Sequence, residues 1–479
     1  MKKLEDIKVN NPYLKLPDIF YDFTNPTPLK EPHLIHANID LAKELNIDAN
    51  ELKKEEFTKL INGSWQFKGS KPFAMVYAGH QFGHFVPRLG DGRAINIGTI
   101  NKQHLQLKGA GETKYSRSGD GRAVLRSSIR EYLVSELMHN LEVPTTRVLG
   151  IIGSKHRVFR ESWESGSIVL RVSSSWVRVG TFEYFAYNHM DKELKELLEY
   201  VIKESYPDLI GSKNRYELFL IQLIEKSAKL VAKWMSIGFN HGVLNTDNFS
   251  IAGLSIDYGP FAFFDDYDFN YICNHTDANG RYSFGNQPYI FKWNLATLIN
   301  ALQPLLKELN LEMILNSFDE LYVNEFHKIM MKKLGLFIKE PKDKELLKHL
   351  LGVMQTLQPD YTLFFRELSN YSGDRERLLK LCLYHQPMNE WLDSYDARLQ
   401  NETIDTEDRL QQMKSINPKY ILKNYMIQLA IDRAENGDFN MVDNLFKIAQ
   451  NPYKEMTEFE EFSKETPKIY KNRKLSCSS

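Results

Sequence analysis

The sequence predicts an α+β chain: a sheet-rich first part built around one prominent helix, then a long, mainly helical second part. Three observations predict it. Apolar runs at 95–97, 105–107 and 168–172 are bounded by turn residues and too short for helices, so they read as strands. Between them, apolar residues at 125, 129, 133, 137 and 141 recur every fourth position, which makes 123–141 an amphipathic helix with one buried face. Beyond about residue 190 the helical spacing dominates.

In chain order, residues 1–70 are polar and carry Pro12, Pro17, Pro26, Pro28 and Pro32. They read as an extended arm with short helices around 39–45 and 52–61. Residues 74–94, AMVYAGHQFGHFVPRLGDGRA, are rich in glycine and aromatics. After the strand–helix–strand region, 216–237 reads as a strong helix, with apolar residues at 220, 224, 228, 231 and 235 and Gly238 as its stop. The next stretch, HGVLNTDNFSIAGLSIDYGPFAFFDDYD, reads as a loop, a short strand at 251–256 and a second loop. Residues 293–450 read as helical, and 453–479 as a charged tail.

The bulk properties narrow the function classes. With 42% of 479 residues hydrophobic and 26% charged, the chain is of ordinary globular composition and long enough to bury a core without disulfides. A net charge of -1 gives no global attraction to nucleic acid or to an anionic membrane surface, so neither is expected as a partner. Cys273, Cys382 and Cys477 are few for this length, which fits a reducing compartment. The opening MKKLEDIKVNNPYLKL has no apolar signal core, and no uncharged apolar stretch spans a bilayer, so a cytoplasmic location is expected.

The chemistry starts at His241-Gly-Val-Leu-Asn245-Thr-Asp247-Asn248, followed by Asp257-Tyr258-Gly259. A metal-dependent phosphoryl or nucleotidyl site needs hard oxygen ligands, which an Asn amide and an Asp carboxylate on neighbouring loops supply. Kinase-like folds place such an Asn at the end of the catalytic loop and an Asp-Phe-Gly soon after it. Either half alone also suits a capped turn. On the kinase pattern His-Arg-Asp-x-x-x-x-Asn, His241 matches His and Asn248 matches Asn, but Val243 stands where the catalytic Asp belongs. Valine accepts no proton. Asp247 is the one carboxylate left in this loop.

Upstream, Lys108 ends a strand and Glu131 lies on the following helix. This is the kinase pairing that holds a lysine near phosphate oxygens, although two surface charges would share the spacing. Two GDGRA segments, 90–94 and 119–123, supply glycine loops whose amides suit phosphates; neither is a Walker loop. Arg171 and Arg178 flank Ser173-Ser-Ser-Trp176 and offer guanidinium forks for phosphate, or surface ion pairs.

Together these motifs resemble the selenoprotein O (SelO/YdiU) family of protein adenylyltransferases. The matching stretches are YAGHQFGHFVPRLGDGRA, LQLKGAGETKYSRSGDGRAVLRSSIREYLVSE, VPTTRVL, HGVLNTDNFSIAGLSIDYGPFAFFD, CNHTDANGRYSFGNQP, NPKYILKNYM and the terminal SCSS. The resemblance implies a protein-kinase-like two-lobed fold: an N-terminal extension over 1–70, an N-lobe over 71–190, a C-lobe over 191–300 and a helical C-terminal extension over 301–479. It implies transfer of AMP from ATP to Ser, Thr or Tyr hydroxyls of proteins, with release of pyrophosphate. A phosphotransferase, or a nucleotide-binding pseudokinase scaffold, is the alternative. Lys108 is then expected to contact phosphate and pair with Glu131. Gly90, Gly92, Arg93, Asp120, Gly121, Arg171 and Arg178 are expected to line the nucleotide site. Asp247 is expected to accept the proton, and Asn248 and Asp257 to hold Mg²⁺ or Mn²⁺. The sequence departs from the family at Ser175-Trp176-Val177, which precedes Arg178. Its terminal Cys477 stands where some members carry selenocysteine, which suggests a redox-active tail with a Cys273–Cys477 disulfide.

Overall fold

Alternation along the strands sorts the apolar and the chemical residues onto opposite faces of one sheet. The computed structural model describes residues 1–306 and 309–471. Its first part runs β1 (Tyr21–Phe23), β2 (Pro32–Ala37), α1 (Ile39–Glu44), α2 (Glu55–Ile61) and β3 (Phe73–Met75). A short ribbon, β4 (Gly79–Gln81) and β5 (His84–Val86), precedes the hairpin β6 (Ala94–Ile100)–β7 (Gln103–Lys108). Then come β8 (Ala123–Val124), α3 (Leu125–Asn140) and the long hairpin β9 (Arg147–Phe159)–β10 (Trp163–Ser173). The main sheet is antiparallel in the order β1-β3-β6-β7-β10-β9-β2, with β8 paired to β10. The predicted strands lie within β6, β7 and β10, and the predicted helix is α3.

Leu105 and Leu107 of β7, and Ile168, Leu170 and Val172 of β10, point to one buried cluster. Their alternates Gln106, Lys108 and Arg171 therefore share the other face. Register brings them together: Lys108 pairs with Ala94 and Val169, and Gln106 with Arg171.

The first 70 residues are not the extended arm that the prolines suggest. They supply β1 and β2, the terminal strands of that order, and Leu4, Ile7, Leu41, Phe57 and Ile61 cover its apolar face. The helices expected around 39–45 and 52–61 are present as α1 and α2, with a 3₁₀ turn at Ala49–Lys53 between them. Short 3₁₀ turns break up the periodicity there, so the burial does not show as a pattern.

The second part contains α4 (Val179–Tyr187), α5 (Asp191–Ser205), α6 (Arg215–Ser236), β11 (Phe239–Asn240) and β12 (Ala262–Phe263). It continues with α7 (Gln287–Leu302), α8 (Leu311–Lys333), α9 (Asp343–Leu357), α10 (Tyr361–Leu368) and α11 (Glu376–Leu379). Last come α12 (Gln386–Leu399), α13 (Thr406–Ile416), α14 (Asn424–Glu435) and α15 (Asn440–Gln450). Helix α6 stops at Gly238, whose φ of +69° suits glycine. The strand expected at 251–256 is absent: Gly253, at φ +73°, turns the chain there. The short strand lies after Asp257 instead, as β12 against β11.

Helix α3 is held by the distant end of the chain. Tyr132 stacks on Phe446 of α15, with ring centroids 5.0 Å apart. The buried Arg130 donates to Asn424 Oδ1 of α14 (3.2 Å) and to the Phe261 carbonyl (2.8 Å). The expected tail is also docked as far as it is described. Phe459 is buried, Thr466 bonds Asp265, and Lys471 Nζ lies 2.8 Å from Asp266. Cys477 lies outside the described residues, and so does the pairing expected of it; Cys273 is buried. No helix among the described residues is long and apolar enough to cross a membrane.

One charge in the helical part is costly. Lys333, at the end of α8, is 2% exposed and lies over the Phe365 ring, 4.4 Å from its centroid. Burial pulls its ammonium down to about 7 from 10.5. Between those pH values the unfolded chain binds the extra proton, so this cost is full below about pH 7 and fades as pH rises towards 10.5. Lys333→Met is therefore expected to raise stability at pH 7, with its advantage over the parent shrinking by about 2 kcal/mol by pH 9. Urea unfolding at the two pH values measures this, and an advantage that is flat or grows with pH contradicts it.

Candidate active site

A cavity of about 770 Å³ opens between the polar face of the sheet and the loops that follow α6. Gly90, Gly92, Arg93, Lys108, Asp120, Gly121, Arg171, Arg178, Asp247, Asn248 and Asp257 all line it. Glu131 does not; it stands behind Lys108 on α3, with its Oε2 2.5 Å from Lys108 Nζ. Helix periodicity puts Glu131 on the side of α3 that faces the sheet, and it is 1% exposed.

The charges form one chain of contacts. Arg171 Nη1 donates to Glu131 Oε1 (3.3 Å) and to Asp257 Oδ1 (2.6 Å). Arg178 Nη1 donates to Asp257 Oδ2 (2.7 Å) and to the Asp247 carbonyl (2.7 Å). Each guanidinium also lies over an aromatic ring: Arg171 over Trp176, Arg178 over Tyr77, both 4.5 Å from the centroid. Trp176, where the sequence departs from the family pattern, is thus the floor beneath Arg171.

Burial alone would push the Asp257 carboxyl up, but Arg178, Arg171 and Lys108 outweigh it and hold this group well below the usual carboxylate range. Burial pulls the Lys108 ammonium down, against the attraction of Glu131. Burial pushes Asp247 up to about 6, against Arg178.

The loops around these residues are built for position. Asp257 has φ +56°, a left-handed conformation that a non-glycine residue holds only under constraint. His241 supplies part of it: its ring stacks on Trp234 of α6, and its Nε2 lies 2.9 Å from the Ile256 carbonyl. Asn248 Nδ2 donates to the Val243 carbonyl (3.0 Å), which leaves its amide oxygen as the atom free to ligate. The two GDGRA segments are laced to their surroundings. The Gly111 amide donates to the Gly121 carbonyl (3.1 Å), and a side chain on Gly121, at φ +64°, would collide with Gly111. Asp120 faces Arg160, whose Nη1 and Nη2 each lie 2.9 Å from its carboxylate.

Several residues here were not singled out from the sequence. Asp91, inside the first GDGRA, is buried and accepts from the Met75 amide (3.0 Å) and from Asn96 Nδ2 (3.2 Å). Gln106 bonds both Asp91 and Arg171, so it links the loop to the charge chain. Its signal was available: a polar residue inside an apolar strand, on the same alternation as Lys108. Gln81 and Arg160 carried no such signal.

The family model described as protein adenylyltransferase SelO matches residues 3–450. Proteins named protein nucleotidyltransferase YdiU from Photobacterium profundum and Myxococcus xanthus are each 42% identical, over the full length of both chains. One from Pseudomonas aeruginosa is 41% identical, again over both full lengths. The matched length leads to a single conclusion: this chain belongs to the SelO family of protein adenylyltransferases.

Proposed function

We propose that this enzyme moves AMP from ATP onto Ser, Thr or Tyr hydroxyls of other proteins, in a kinase-like arrangement of two lobes. The observation that carries the proposal is the shared carboxylate of Asp257, gripped by Arg171 and Arg178 beside Lys108. Lys108, Arg171 and Arg178 stand among the several cations that line this cavity, and such a lining suits a triphosphate. The single acid of the catalytic loop is Asp247, beside Asn248, while Val243 leaves the usual kinase base position without a proton acceptor.

In this reading the sheet over 71–190 and the helices over 191–300 serve as the lobes, flanked by extensions over 1–70 and 301–479. Lys108, oriented by Glu131, and Arg171 and Arg178 hold the phosphates. Gly90, Gly92, Arg93, Asp120 and Gly121 form the loops against the nucleotide. The acceptor oxygen attacks the α-phosphorus, the bond from that phosphorus to the bridging oxygen breaks, and pyrophosphate departs. Asp247 takes the hydroxyl proton. The donor set fits a hard divalent ion: Asn248 has its amide oxygen free and Asp257 is held ionised. Asn248 and Asp257 would hold Mg²⁺ or Mn²⁺, which when bound neutralises phosphate charge.

The same groups would serve a kinase, so the label decides. With a soluble-protein extract as acceptor, ATP labelled at the α-phosphorus is expected to mark protein, and γ-labelled ATP is not. The reverse pattern would make the chain a phosphotransferase, and no label from either would make it a scaffold. Asp247→Ala is expected to lower transfer by at least about 100-fold while ATP binding by calorimetry persists. Transfer at a near-normal rate would remove Asp247 as base. Asp257→Ala is expected to weaken metal-dependent ATP binding by about tenfold or more; unchanged metal dependence would reassign that ligand.

A further inference from the structure

The ribbon β4–β5 lies outside the main sheet, and its position over the catalytic loop is over-determined. A lone two-stranded ribbon is marginal in water, so its place has to come from contacts. Three of them reach the catalytic loop or its neighbour. The His80 amide donates to Thr246 Oγ1 (2.7 Å). The Phe82 amide donates to Asn245 Oδ1 (3.1 Å) and to the Tyr282 hydroxyl (3.0 Å). Phe82 has φ +51°, so these bonds hold a strained turn. On the ribbon's other side, His80 Nδ1 lies 2.5 Å from Glu183 of α4.

What the pinned ribbon presents is Gln81. Its Nε2 donates to Asp247 Oδ2 (3.3 Å). The other oxygen, Asp247 Oδ1, is buried without a hydrogen-bond partner among the described residues. It sits against Gly79, where an added Cβ would lie 2.8 Å away. One carboxylate oxygen is thus tied to the ribbon and the other is left unengaged. An unpartnered buried carboxylate oxygen is costly, and it persists where function needs an acceptor.

We propose that Gln81 is the positioning residue for Asp247: its amide fixes the plane of the carboxylate, so that the unengaged oxygen is presented in one orientation. This rests on the reading of Asp247 as proton acceptor. Gln81 does not touch the reacting atoms in this role. It acts through the carboxylate, and the ribbon exists to hold it there.

The test uses the full chain, α-labelled ATP and the same soluble-protein extract, comparing Gln81→Ala, the similarly sized but uncharged Gln81→Met, Asp247→Ala and the parent. Both Gln81 variants are expected to lose about ten- to hundredfold in the maximal rate, while KM for ATP and ATP affinity by calorimetry stay within about twofold. Gln81→Met keeps the length and volume but loses the donor and adds no charge beside Asp247, so equal loss in both variants separates the hydrogen bond from packing. If both keep the parental rate while Asp247→Ala is inactive, Gln81 has no such role and Asp247 remains the base. A rise in KM with the maximal rate unchanged also overturns the proposal, because Gln81 would then serve binding. If Asp247→Ala itself keeps the parental rate, the reading of Asp247 falls, and this inference falls with it.

Discussion

The Asp257 carboxylate is the constraint around which the rest is arranged. Two guanidinium groups and an ammonium sit within one buried neighbourhood, where unpaired charge is expensive. Glu131 and Asp257 are the two carboxylates that divide them: Glu131 takes Lys108 and a share of Arg171, and Asp257 takes both arginines. In the proposed function, an arriving triphosphate would bring a further set of anionic oxygens to the same cations. With the cations already held by Glu131 and Asp257, little reorganisation would be left to the moment of binding.

That geometry draws on both parts of the chain. Lys108 and Arg171 come from neighbouring strands, and register alone sets their spacing. Arg178 enters at the start of α4 and Asp257 from the loop behind α6. The ion pairs across Asp257 therefore tie the sheet to the helical part. His241, stacked on Trp234 and bonded to Ile256, keeps the loop from relaxing out of its left-handed turn.

The parts legible in the sequence were those whose signal is local. The every-fourth-residue apolar spacing around Leu125–Asn140, and the apolar runs bounded by turns, specify α3, β6, β7 and β10 without help from the rest of the chain. Lys108 and Glu131 were legible because a strand end and a helix face fix where each side chain points. The burial of residues 1–70 was not, since β1 and β2 are completed by partners at 73–75 and 150–154, and pairing across such distances leaves no local mark. The run at 251–256 misled for the opposite reason: its isoleucines are buried by tertiary packing, while Gly253 turns the backbone out of any strand. Gln81 was hidden because its importance is a single long-range hydrogen bond, spanning 166 residues to Asp247.

The bond from Arg130 to Asn424 has a consequence in time. It joins residues 294 apart, and Tyr132 reaches Phe446 further still. On a ribosome adding roughly 5–20 residues per second, α3 would emerge roughly 15–60 s before the helices that cover it. Throughout that interval Arg130 lacks its Asn424 partner and Tyr132 lacks the Phe446 ring, although every residue that lines the cavity, the last of them Pro260, is already made. A chain released early thus carries Lys108, Glu131, Asp247, Asn248 and Asp257 but not the brace that α14 and α15 give to α3.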